Sequence, residues 1–476
     1  MTAKRIGTLY VLLNGINDAA YFGFLTIQFL LLEPTLRALL PAGQSSFSVG
    51  LSMTLITSQL LWQVCAEGPT GALADVRGRA WAVAISFWCR LLAIVLVTLS
   101  VIMNLHSDSP ALARLAIVVA LIIAQILMAT GEAFLEGSIE AWLRDECETA
   151  DPERYKQIVD KAFESSAIVQ NVAVLITVTT VLVVWETLGK NGGLILSVVA
   201  ACLCLAGALM AHRLSFRETF TGVATRNADL AQATLSKRLR AKSAIILKLR
   251  DAFTTVVRAD ERSVRRLITI LVLPFPCWIL LSWFFTALVT SDGSSGITSL
   301  PATFTLSLGV TLGVARVVGA LIGKRLSSAG DEKTLQSIFE KAVFINVFFL
   351  FGAAMLLVLR LSGKGGFSSS LGIILFLSAV ALAKGSEEII KLSKNKFLAS
   401  VLLNGEVRAT TLSFVSVAQN AFGFIAISLS GLLAFMMTEN GDRQTVMVFA
   451  VCASFGIIGW LIYRRALPRL PKRNHS

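Results

Sequence analysis

The sequence predicts an all-α membrane protein, with twelve transmembrane helices arranged as two pseudo-symmetric six-helix bundles. Three observations carry this. Hydrophobic residues make up 55% of 476 positions and charged residues only 15%, where a soluble protein carries about 25% charged residues. Apolar runs long enough to cross a bilayer core as helices recur along the whole chain. The longest polar stretch, 212–265, leaves six such runs before it and six after.

The runs fall at about 7–32, 47–66, 80–103, 111–135, 162–185 and 191–211, then 266–290, 299–322, 337–360, 369–391, 409–433 and 443–463. The first is too long for a signal-peptide core and lacks a small-residue cleavage site, so it reads as a retained helix. Domain boundaries follow: a first bundle over 1–211, a central connector over 212–265, and a second bundle with a basic tail over 266–476.

Charge placement sets the topology. The net charge is +13. With the amino terminus inside, one side receives Lys4, Arg5, Arg77, Arg79, Arg144, Lys324, Arg325, Lys391 and the tail from Arg464 to Arg473. The opposite loops carry little beyond Arg37, Lys190, Lys364 and Arg443. This positive-inside bias places both termini and the connector in the cytoplasm of a plasma membrane, a bacterial inner membrane by expectation. It accounts for the basic charge without nucleic acid. The connector's bases, among Leu235, Leu239, Ile246 and Leu249, suit either an anionic lipid surface or a solvated linker.

Ionisable groups inside a span are costly and face a cavity or a partner. Asp18 lies near the middle of the first run. Asn14, Asn17, Asp18, Tyr21 and Gln28 share one helix face, which must turn toward protein or water rather than lipid. A carboxylate there can bind a proton or a cationic solute, or serve as a structural partner. Arg90 in the third run is either an anion-binding group or the fixed partner of a buried acid. Arg316 in the eighth can snorkel toward the cytoplasmic interface. Glu132, Glu136, Glu140 and Arg144 recur every four residues through the inner end of the fourth, with Glu140 and Arg144 in the favourable order for an ion pair. Glu132 is deepest and can reach a cavity; the others read as gate or interface charges. Lys384 in the tenth stands before Glu387, Glu388 and Lys391, either as an ion-paired end or as a receiver for an anionic substrate. Pro274 and Pro276 would weaken or kink the seventh.

Between the second and third runs lies a short polar loop, Glu67-Gly68-Pro69-Thr70-Gly71-Ala72-Leu73-Ala74-Asp75-Val76-Arg77-Gly78-Arg79. It resembles the signature loop of the major facilitator superfamily, a Gly-x-Leu-Ala-Asp-x-x-Gly-Arg pattern. Gly71, Leu73, Ala74, Asp75, Gly78 and Arg79 fall on it. The Glu-x-Pro-Thr-Gly before it, the Gly137–Asp145 stretch and the Arg408-Ala-Thr opening of the eleventh run resemble one bacterial branch. Gly319-Ala320-Leu321 before Lys324 and Arg325 looks like a degraded second copy.

The resemblance implies a secondary transporter working by alternating access, a symporter or antiporter, with helices one, four, seven and ten around a central cavity. It implies that Asp75 meets the amino-terminal end of the eleventh helix, near Thr410. Gly71, Asp75, Arg77, Gly78, Arg79, Glu136, Glu140, Arg144 and Arg316 become gating candidates. Asp18, Asn14, Asn17, Tyr21, Glu132, Arg90 and Lys384 become candidates for substrate or proton binding. Coupling to protons is expected before sodium, since a single buried carboxylate suffices. The alternatives are an efflux carrier, a passive facilitator, or a non-transporting sensor or assembly protein on the same scaffold.

No phosphate-loop pattern is present, and three histidines and seven scattered cysteines suggest no metal cluster. No cofactor and no enzymatic activity are expected. The fifth run lacks the Gly-Pro-x-x-Gly-Gly pattern of many drug–proton antiporters of the superfamily. The expected partners are a small-molecule substrate and anionic lipid at the cytoplasmic face, with the chain monomeric.

Overall fold

A computed structural model describes residues 2–39, 47–105, 111–136, 138–218, 302–327, 332–361, 370–401 and 419–429, together with Leu432, Val451, Ser454, 456–458 and Leu461. The spans expected at 266–290 and most of 443–463 lie outside these residues, as does the connector beyond residue 218.

The described residues form helices and no strand. In chain order they are α1 (Ala3–Leu39), α2 (Phe47–Arg77), α3 (Arg79–Leu105), α4 (Ala111–Leu135), α5 (Ser138–Ala150) and α6 (Tyr155–Glu218). Then come α7 (Ala302–Ser327), α8 (Glu332–Leu361), α9 (Ser370–Val401) and α10 (Gln419–Leu429). Five stretches among the described residues are long and apolar enough to cross a membrane: Ala3–Leu32, Arg79–Asn104, Ala111–Ala150, Tyr155–Trp185 and Asn191–Ser215. Lipid-facing leucines, isoleucines and valines such as Leu92, Leu99, Leu115 and Ile176 stay exposed on their outer faces, as an apolar solvent permits.

Two local readings are corrected. The stretch from Glu67 to Arg77 continues α2 as helix, and the turn falls at Gly78 alone, where φ is 107°. Pro69 sits inside the helix. The Thr70 hydroxyl lies 2.9 Å from the Ala66 carbonyl and 2.9 Å from the Ala133 carbonyl of α4. Such hydroxyl contacts let a transmembrane helix keep a proline. The fourth run does not carry its acids on one continuous helix. α4 ends at Leu135 and α5 begins at Ser138, where the sequence places Gly137, a weak helix former. The fifth and sixth runs are two helices, Tyr155–Trp185 and Asn191–Ser215, as expected; α6 denotes both, and the chain leaves helical geometry between them at Gly189 (φ 55°).

Packing gathers these helices into two groups. α3 lies against both α4 and α6, α1 packs on α6, and α2 packs on α4; α7 and α8 both pack on α9. The groups meet along α6 and α7. There the chains run antiparallel in a steady register: Leu182 faces Gly309, Leu175 faces Gly313, Asn171 meets Arg316, and Glu164 meets Lys324. Gly309 and Gly313 are spaced four apart, so both fall on the α6 side of α7. A Cβ at Gly309 would stand 2.7 Å from the Leu182 Cδ1, and one at Gly313 would collide with Leu175. Small residues at this spacing let helix backbones approach in a membrane, where dispersion rather than the hydrophobic effect holds helices together.

Gly313→Val should therefore lower the melting midpoint in detergent, with overpacking of this kind costing about 1–3 kcal/mol. Gly352→Val on α8, where a Cβ meets nothing within 4 Å, should leave it nearly unchanged.

Candidate functional site

The polar face of α1 is buried, as an amphipathic stripe in an apolar helix requires. Asn14, Asn17, Tyr21 and Gln28 are all nearly inaccessible, and Asp18 is partly so. The stripe divides by partner. Gln28 turns to α4, donating to the Leu121 carbonyl at 3.1 Å and accepting from Gln125. Asn14 donates to the Tyr10 carbonyl at 3.0 Å. Gln59 of α2 donates to the Tyr21 hydroxyl. Asn17 Nδ2 donates to Asp18 Oδ1 at 3.1 Å. Asp18 makes no ion pair among the described residues.

Arg90 is fully buried in α3, and its Nη2 pairs with Glu132 of α4. Its guanidinium lies 6.0 Å from the rings of Tyr21 and of Phe87. The geometry is that of a fixed partner for a buried acid, closed off by aromatic faces. Removing one member of such a pair strands the other charge at a cost of about 3–5 kcal/mol.

A cavity of about 330 Å³ opens beside this pair. Among the described residues it is lined by Asn14 and Tyr21 from α1, Leu60 and Gln63 from α2, Glu132 and Leu135 from α4, Glu136, Ile139 and Glu140 around the α4–α5 break, and Gln419 and Asn420 from α10. Gln63 donates to Glu136 at 3.3 Å. Asn420 donates to Glu67 at 3.3 Å, bridging α10 to α2.

A second polar cluster joins the two helix groups. Arg316 Nε lies 2.8 Å from Asn171 Oδ1 and 3.2 Å from Glu388 Oε1, and Asn171 Nδ2 donates to Glu388 Oε2 at 3.2 Å. Its guanidinium lies 4.8 Å over the Phe22 ring of α1. The snorkelling expectation for Arg316 is corrected: the residue is buried and turned inward, because a carboxylate and an amide lie within reach. Lys384 is also buried and pairs with Glu387 at 2.5 Å. Lys391 bridges Glu387 at 2.8 Å and Glu388 at 3.1 Å. Lys384 thus sits in an ion-paired cluster, not in the lining of the cavity.

Arg77, Arg79 and Arg144 are not among the described residues that line the cavity. Arg77 lies 5.1 Å over Trp81, and Arg79 pairs with Asp145 at 2.7 Å. Arg144 lies 5.7 Å over Phe163. Gly71 and Asp75 belong to α2 by backbone, but their surroundings and the Thr410 region lie outside what is described. Residues that the sequence reading passed over are Gln59, Gln63, Asn171, Gln419 and Asn420. Their signal was present: each is a carboxamide inside an apolar run, and such groups need partners as ionisable ones do.

No family model matches the sequence, and no curated relative matches it either. Solved structures do match in shape. The nucleoside transporter NupG aligns at 16% identity and a TM-score of 0.59 over 97% of this chain and 98% of its own. A D-xylose–proton symporter aligns at 13% and 0.64, over 98% and 97%. A POT family transporter in complex with 5-aminolevulinic acid aligns at 13% and 0.61, over 98% and 97%. The chain shares its fold with these transporters. With its long apolar helices, the chain is a multi-pass membrane protein.

The Arg90–Glu132 pair should behave as a unit. Arg90→Leu alone should strongly lower the melting midpoint in detergent. Adding Glu132→Leu should recover much of the loss, since two apolar groups leave no stranded charge.

Proposed function

We propose that this chain is a secondary transporter that moves a small solute by alternating access, coupled to protons through Asp18. One observation carries the reading. Asp18 lies midway along the first membrane-crossing helix and has no ion-pair partner among the described residues, while the deeply buried bases there are each matched by an acid. A carboxylate in that setting takes up and releases one proton without disrupting a pair. The fold shared with transporters, a proton symporter among them, supports the same reading.

The proposed layout is two six-helix bundles, 1–211 and 266–476, joined by the connector 212–265, with both termini in the cytoplasm of a bacterial inner membrane. Anionic lipid meets the basic inner face, and the chain works as a monomer. Asp75, with Gly71, Arg77, Gly78 and Arg79, belongs to the cytoplasmic closure in this reading. Glu136 and Glu140 line the cavity toward its inner mouth in this reading, with Arg144 a gating charge beyond it. Arg316 ties the two groups together through Asn171 and Glu388.

In proteoliposomes, Asp18→Asn should abolish proton-driven accumulation while sparing binding or passive exchange. Asp18→Glu should keep partial coupling with a displaced pH profile. Full accumulation by Asp18→Asn would remove Asp18 from the mechanism and leave Glu132 as the next candidate. A purely structural role would instead lower the melting midpoint of both variants without a selective loss of coupling.

The topology has its own check. Single cysteines placed in 212–265 and in the tail should resist a membrane-impermeant thiol reagent applied to intact cells. Strong labelling of the connector would overturn the orientation.

A further inference from the structure

Three observations meet at Arg316. The first is hydrogen-bonding capacity that its partners leave unused. Its Nε serves both Asn171 Oδ1 at 2.8 Å and Glu388 Oε1 at 3.2 Å. Its terminal nitrogens, which carry most of the N–H groups of a guanidinium, make no hydrogen bond among the described residues.

The second is the charge count of the cluster. Glu387 serves Lys384 and Lys391, and Glu388 serves Lys391 and Arg316. Three cations therefore share two carboxylates. Lys391 is half-exposed, but Arg316 is buried and holds only a share of Glu388. A third carboxylate would close the count, as burial of charge demands.

The third is position. The guanidinium lies 4.8 Å over Phe22, and Phe22 stands one turn along α1 from Asp18 on the same face. Asp18 Oδ1 accepts from Asn17, and Oδ2 has no partner among the described residues. The cations acting on Asp18 are Arg316 of α7 first, then Arg90 of α3 and Lys391 of α9. On the acid side stand Glu132 of α4 and the Tyr21 phenol. At this level α6 and α2 present Val169, Thr177 and Gln59, which do not titrate. α5 meets α1 at Ala3, about four turns away. Arg90 is taken by Glu132, which leaves Arg316 as the cation with donors to spare.

We propose that Arg316 is the positioning residue for Asp18, a cation exchanged between Glu388 of its own helix group and Asp18 of the other. When Asp18 is ionised, its free oxygen draws the terminal nitrogens of Arg316 across Phe22 and ties α1 to α7. When Asp18 carries a proton, Arg316 stays with Glu388 and Asn171, and that tie is gone. The state of one carboxyl group thus sets how firmly the two groups are joined. The inference deepens the transporter reading and rests on it for its physiological meaning, though the pairing itself does not.

The test uses the purified full-length protein and follows the infrared band of the protonated Asp18 carboxyl as pH is varied, assigned by its absence in Asp18→Asn. Arg316→Gln should move the midpoint of that band toward alkaline pH by about one unit or more, the usual effect of losing a cation beside a carboxylate. Arg316→Lys keeps the charge and should restore most of the parent midpoint, which a merely structural role would not do. Glu388→Gln leaves Arg316 to Asp18 and should move the midpoint toward acid pH. If Arg316→Gln alone does not fold, adding Glu388→Gln strands no charge there, and the pair should still show the alkaline displacement. A midpoint unmoved by Arg316→Gln, an equal displacement by Arg316→Lys, or an alkaline displacement by Glu388→Gln would each overturn the proposal and leave the transporter reading standing. The expected displacements in a protein that moves no solute in proteoliposomes would keep the pairing and sink the transporter reading.

Discussion

A basic side chain inside a hydrocarbon slab calls for an acid beside it, and the interior of this protein is arranged around that demand. Arg90 is met by Glu132 across α3 and α4. Arg316 is met by Glu388 across α7 and α9, with Asn171 of α6 completing the contact. Lys384 is met by Glu387 within α9. These pairings determine which helix faces turn inward, because a helix cannot show such a group to lipid. The packing of α1 follows from the same rule, since the Tyr21 hydroxyl must find Gln59, and Gln28 must find Gln125 and the Leu121 carbonyl.

The pairs differ in what they join. Arg90–Glu132 lies wholly within the first helix group and stiffens the wall of the cavity. The Arg316 cluster crosses between groups. It gathers a side chain from α6, one from α7 and one from α9, and it touches Phe22 of α1 one turn from Asp18. A change of charge at Asp18 is therefore felt close to the place where the two groups are tied. Exposed contacts such as Arg79–Asp145 contribute little by comparison, because solvent screens them.

Much of this was legible in the sequence, for identifiable reasons. Apolar runs located the described membrane helices closely, because hydropathy over twenty residues is a strong signal. The spacing of Asn14, Asn17, Asp18 and Tyr21 placed one buried face correctly. Arg90 was read with two roles open, and only the third dimension brings it to Glu132, forty-two positions away. The extension of α2 through Arg77 was not legible, because Gly and Pro in Glu67-Gly68-Pro69 argue for a loop and tertiary contacts at Thr70 override them. The Arg316 cluster was missed because hydrogen-bonding partners 145 positions apart leave no local pattern.

The register of α6 against α7 limits how the two groups can move. Leu175 and Leu182 are seated in recesses left by Gly313 and Gly309. Sliding one helix along the other would drive both leucines out of their recesses and into neighbouring side chains. Turning about the line of contact leaves them seated. Two bodies joined along such a line keep one easy degree of freedom, and the seam acts as an axle.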